Sequence, residues 1–234
     1  MSNLIIGQSG FLNLNVASGS APSSYSFDFL LVGGGGGPNS FNGSFQRNGG
    51  DGGQLVSGSI TPSTGNVYVF SIGAGGTSGG YYNNNTNNSM GYATNGLPSK
   101  ITLNSTAIYT ANGGLAANTG ANYGGNGAYG AGGAGLSNGN GGNGLTNSIT
   151  GSSVYYAGGG SGFNNNNAGL GAIGRGGSSH TNGSNDSSNF GLAGGCIISI
   201  PAKNFSGVYT GNPSVIINGT KLVLTFTSAG SYTA

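Results

Sequence analysis

Five consecutive glycines, Gly33 to Gly37, follow directly on the run Tyr25-Ser-Phe-Asp-Phe-Leu-Leu-Val32. The run alternates aromatic and small polar residues and reads as a strand. A strand that passes straight into polyglycine gives the following stretch no side chains with which to build a core. That stretch either stays disordered or packs backbone against backbone. Gly and Pro together make about a quarter of the 234 residues, a level at which low complexity is the usual reading. Disordered chains, however, are charged and poor in aromatics. This one has 3% charged residues, 12 Tyr and 10 Phe, so it is expected to fold.

Strand-like runs recur between the glycine tracts. Gln54 to Thr61 and Asn66 to Ile72 flank Thr61-Pro-Ser-Thr-Gly65, whose turn chemistry predicts a hairpin. Weaker strands are expected at Lys100 to Leu103, Ala107 to Thr110 and Ser152 to Ala157, and stronger ones at Cys196 to Ile200, Ser214 to Ile217 and Lys221 to Thr227. No segment has helical periodicity. Residues 1 to 24, with the alternating stretch Phe11-Leu-Asn-Leu-Asn-Val16, read as an edge strand or attachment arm, and residues 25 to 234 as one glycine-rich domain.

The glycines fall partly in register. Gly124, Gly127, Gly130, Gly133, Gly139 and Gly142 share a spacing of three, with Leu136 in the one remaining position; Gly73, Gly76, Gly79 and Gly171, Gly174, Gly177 form shorter runs. A period of three suits an extended helix with three residues per turn, in which the absent Cβ lets backbones approach closely. Proline is too scarce for collagen. The expected fold is therefore all-β and glycine-rich: short strands flanking a sandwich of polyglycine II helices, with no α-helix of note. Each buried amide must then find a carbonyl on a neighbouring segment.

Charge excludes several partners. Arg47, Lys100, Arg175, Lys203 and Lys221 are scattered against Asp28, Asp51 and Asp186, with no Glu. A net charge of +2 spread so thinly provides neither the phosphate contacts of a nucleic-acid binder nor a polybasic membrane patch. No apolar run reaches spanning length, and the opening Met-Ser-Asn-Leu-Ile-Ile-Gly has no basic n-region or apolar h-region, so neither membrane insertion nor a secretory signal is expected. The single Cys196, in Gly-Cys-Ile-Ile-Ser-Ile, reads as a small buried hydrophobe.

Taken in order, several pieces resemble the glycine-rich domain of phage tail-fibre and tail-tip adhesins, which also occurs in structural proteins of large DNA viruses. They are Tyr25 to Gly37; Gly52-Gly-Gln-Leu-Val-Ser-Gly-Ser-Ile-Thr-Pro62 with Val67-Tyr-Val-Phe-Ser-Ile-Gly-Ala-Gly-Gly76; Gly144 to Gly160; Gly194-Gly-Cys-Ile-Ile-Ser-Ile200; and Leu224 to Ala234. The resemblance implies a particle component, at the virion surface, whose glycine scaffold displays loops that contact a host surface glycan or outer-membrane protein. It also implies other virion proteins as partners, engaged through residues 1 to 24 or by homo-oligomerisation.

Catalysis and cofactors are not expected. Three scattered Asp make no acid-base pair, His180 near Asp186 has no nucleophile elbow beside it, and one His with one Cys gives no zinc spacing. Glycine matches to phosphate loops lack the following Gly-Lys-Ser/Thr. Neutral loops at Pro38 to Arg47, Gly80 to Asn95, Phe163 to Asn167 and Ser178 to Phe190 combine aromatics with Asn and Ser. That pairing gives large contact area at low entropy cost together with adaptable hydrogen bonding. Tyr81, Tyr82, Asn84, Tyr92, Phe163, Asn165, His180, Asn185 and Phe190 are the expected receptor-binding residues. Two other functions fit the same sequence: a capsid decoration or minor capsid protein without a receptor, and an ice-binding protein.

Overall fold

The computed structural model describes residues 24–40, 47–80, 92–117, 127–128, 139–162, 167–179 and 190–234. They form an all-β structure with no α-helix among them. The strands are β1 (Phe27–Val32), β2 (Asn39–Ser40), β3 (Arg47–Asn48), β4 (Leu55–Ile60), β5 (Val67–Ser71), β6 (Gly79–Gly80), β7 (Ser99–Leu103), β8 (Thr106–Ala111), β9 (Leu145–Asn147), β10 (Val154–Tyr156), β11 (Gly195–Pro201), β12 (Tyr209–Thr210), β13 (Ser214–Asn218), β14 (Lys221–Phe226) and β15 (Gly230–Thr233). Two five-stranded antiparallel sheets, β13-β14-β11-β1-β4 and β12-β15-β5-β7-β8, face each other.

Alternation along the strands fills the space between the sheets. Phe27, Phe29 and Leu31 of β1 meet Tyr68 and Phe70 of β5, Ile101 of β7 and Tyr232 of β15, all essentially buried. Phe27 lies edge-on to Tyr68 and Tyr232, with ring centroids 5.3 and 5.8 Å apart, the geometry that ring quadrupoles favour. The other face of β1 carries Leu30 and Val32, which pack with Ile197, Val223, Tyr156 and Ala157 in a second cluster. The first sheet is thus buried on both faces over part of its length, so its strands read as apolar runs.

The hairpin expected between Gln54 to Thr61 and Asn66 to Ile72 does not form. β4 pairs with β1, whereas β5 pairs with β15 and β7, so the two strands belong to different sheets. The turn chemistry is real: Asn66 N–H donates to the Ser63 carbonyl and Gly65 takes φ +83°. It turns the chain across the sandwich because β5 finds its partner in the C-terminal strand, where Ala234 N–H bonds the Asn66 carbonyl and Gly65 N–H bonds that of Ala234. Two-residue turns do close hairpins at Asn104-Ser105, with φ of 50° and 65°, and at Gly219-Thr220.

Beyond one end of both sheets lies a glycine layer. Segments 33–38, 72–78, 112–117 and 157–162 leave β1, β5, β8 and β10; segments 49–54, 94–98, 139–144 and 190–194 return into β4, β7, β9 and β11. Along Gly33 to Gly37 the amides donate in turn to the carbonyls of Gln54, Leu97, Leu192, Asp51 and Thr94, at 2.8–3.0 Å. Residues three apart therefore bond the same neighbour. A strand directs its groups two ways; this backbone directs them three ways. Its carbonyls accept from Gly114 and Ala117, from Gly76 and from Gly177, which brings six segments around one.

The glycines are required by that packing. A Cβ on Gly33 or Gly36 would fall 2.0 or 1.9 Å from the carbonyl oxygens of Asn112 and Leu115, and one on Gly34 or Gly37 would meet those of Ala74 and Thr77. The same three-residue rule explains Gly73 and Gly76, which face Leu97 and Thr94. Gly171 and Gly174 combine close backbone contacts, to Tyr156 and Gly33, with φ of +110° and +70°. Where a segment lies at the rim, Asn and Gln take over: the side-chain carbonyls of Gln54, Asn95 and Asn143 accept the amides of Asn112, Ala116 and Leu170.

Candidate functional site

The glycine layer brings the described flanks of the expected binding loops to one end. Gly37 N–H bonds the Thr94 carbonyl, Thr94 N–H bonds that of Thr77, Ala117 N–H bonds that of Gly37, and Gly79 N–H bonds that of Pro38. The short sheet β3-β2-β6 ties Ser40, Arg47 and Gly80 together at the same level. Ser179 N–H bonds the Ser161 carbonyl, and Gly162 N–H bonds that of Gly139. This convergence follows from the out-and-back path of the described segments, which leave one set of strands and return into another.

Of the expected receptor-binding residues, Tyr92 and Phe190 lie in this region. Tyr92 is 78% exposed and Phe190 38%. Each stands close in sequence to a residue that touches Gly76: Gly191 N–H bonds the Gly76 carbonyl, and the Thr94 carbonyl lies where a Gly76 Cβ would stand. Gly76 thus brings together two chain segments nearly a hundred residues apart. Tyr81, Tyr82, Asn84, Phe163, Asn165, His180 and Asn185 lie outside the described residues, as do residues 1 to 23 of the expected 1 to 24 arm.

Cys196 sits at the centre of β11 with no exposure, and burial pushes its thiol pKa up. It is a packing residue, as its apolar neighbourhood suggested. Sequence reasoning missed a pocket on the outer face of the first sheet, where Asp28 and Lys221, 193 residues apart, form an ion pair of 2.8 Å. One signal existed: Asp28 is the charged residue among the outward positions of an otherwise apolar strand.

The architecture defines an all-β sandwich extended by a layer of backbone-packed glycine segments. The chain belongs to the glycine-rich domain family, whose model matches residues 15–217 and so begins within the expected arm. No curated protein and no solved structure matches it.

Proposed function

We propose that this protein is a structural component of a virion surface, in a tail fibre or surface fibre, which binds the host cell through neutral Asn- and Tyr-rich loops. The observation that carries the proposal is the placement of Tyr92 and Phe190, both exposed, on the two segments whose Thr94 and Gly191 meet at Gly76. Exposed aromatics beside Asn and Ser offer large contact area at low entropy cost together with adaptable hydrogen bonding. In this proposal the layer is a bundle of polyglycine II helices, supported by the three-residue repeat of its hydrogen-bond directions. Such a bundle is a rigid base for loops, because each segment is tied to neighbours on several sides.

The decisive measurement is adsorption of particles carrying replacements at 80–95 and at 178–190. Adsorption is expected to fall with either replacement. Unchanged adsorption with both would remove receptor binding by these loops. Electron microscopy of labelled particles separates the alternatives, since label spread over the capsid indicates a decoration protein.

A further inference from the structure

The outer face of the first sheet is divided. On one half Leu30, Val32, Ile197 and Val223 are covered by Tyr156, Ala157 and their neighbours around the β9–β10 hairpin. On the other half the register sets Asp28 beside Ser199 and Lys221 beside Asn218, and the hairpin does not extend over them. Its turn stops alongside, at Asn147 and Ser148, and closes against Asn218. Gly151, at φ +99°, permits that approach, because a Cβ there would stand 2.5 Å from the Asn218 amide nitrogen. The result is an open pocket of about 540 Å³ at the start of β1, the end of that strand remote from the glycine layer. Its size suits a small ligand.

We propose that this pocket binds a neutral polyhydroxylated ligand, a saccharide unit. The Asp28 carboxylate and Lys221 ammonium, each about half exposed and 2.8 Å apart, face the space together with Ser199, Ser57, Asn147 and Asn218. The charges cancel, so an anion meets Asp28 and a cation meets Lys221, and either must break the ion pair to enter. An apolar ligand finds little to bury against, since the pocket wall is mainly hydroxyl, amide and charge. Sugar hydroxyls donate to a carboxylate and accept from an ammonium at once, forming charge-assisted hydrogen bonds that leave the pair in place. Ser199, 3% exposed, lies at the floor on a strand paired on both sides, so its position is fixed by the sheet. Binding here needs none of the residues at the far end of the glycine layer.

The test is amide chemical-shift mapping on the whole protein, titrated with glucose, galactose, N-acetylglucosamine and maltotriose, and with glucuronic acid and glucosamine as charged comparators. At least one neutral sugar is expected to shift Asn147, Ser148, Ser199 and Asn218, with the charged comparators binding at least about tenfold more weakly. Asp28→Asn, which removes one charge-assisted acceptor, is expected to weaken binding by about tenfold or more. Ser57→Trp fills the pocket from an exposed position on an edge strand, leaves the ion pair intact and should abolish the shifts while the remaining spectrum is retained. The proposal is overturned by no shift with any neutral sugar up to about 50 mM, by shifts located elsewhere, by insensitivity to both variants, or by charged sugars binding as well as neutral ones.

Discussion

The Ser99 hydroxyl donates to the Val32 carbonyl at 2.6 Å and accepts the Gly73 amide at 2.9 Å. Ser99 is fully buried where the two sheets give way to the glycine layer. This one side chain therefore ties the last residue of β1 to the first glycine after β5, at the seam between sheet and layer. Ser99→Ala should cost about 1–3 kcal/mol, because it leaves the buried Gly73 amide without its acceptor. Ser63→Ala, in an exposed turn, should change stability by less than about 0.5 kcal/mol. Urea denaturation of both variants checks this, and equal midpoints would contradict the role given to Ser99.

Glycine is needed for two distinct reasons, and substitution should separate them. A Cβ on Gly35 would stand 2.0 Å from the Arg175 carbonyl oxygen, with bonded segments on its other sides. Gly35→Ala should cost more than about 4 kcal/mol and yield little folded protein. Gly65 has φ +83° and open space around it, so Gly65→Ala should cost only the left-handed conformation, about 1–2 kcal/mol. Soluble yield and thermal melting distinguish them.

Alkaline pH should destabilise the fold. Burial raises the Cys196 thiol pKa; burial first, and then the Tyr232 hydroxyl at 3.1 Å, raises that of Tyr25. In both cases the unfolded state loses its proton first as pH rises. Stability is therefore full below the unfolded thiol pKa, about 8.5, and declines above it, with Tyr25 contributing from about pH 10. The limiting slope from Cys196 is about 1.4 kcal/mol per pH unit. Cys196→Ala should move the onset upward. Alkylation by iodoacetamide should proceed only on unfolding.

The Asp28–Lys221 pair should add little to stability. Both side chains are about half exposed, so Lys221→Ala should cost less than about 1 kcal/mol, and less again in high salt. Melting at low and high ionic strength measures it. A cost well above that value would mean that the pair supports the sheet, a role its exposure does not suggest.

The sequence by itself determined the class of structure. With so few charges, so many aromatics in alternating runs and glycine joined directly to strands, the chain could not remain solvated as a disordered polymer, and strands near Tyr25–Val32, Cys196–Ile200 and Lys221–Phe226 were legible from local alternation. The burial of Cys196 was legible for the same reason. Only the tertiary structure decided which strands pair. The turn at Thr61–Gly65 is locally compatible with a hairpin, yet β5 bonds a strand more than 150 residues later, because pairing is won by a long-range partner that completes the sandwich core. Tertiary structure also decided what the glycines face. Spacing by three announces a repeat, but whether a glycine serves a close backbone contact alone, as Gly76 does, or a positive φ as well, as Gly174 does, depends on neighbours supplied from elsewhere in the chain. The meeting of Asp28 with Lys221 is of the same kind: neither residue carries a local signal for the other, and strand register alone brings them together.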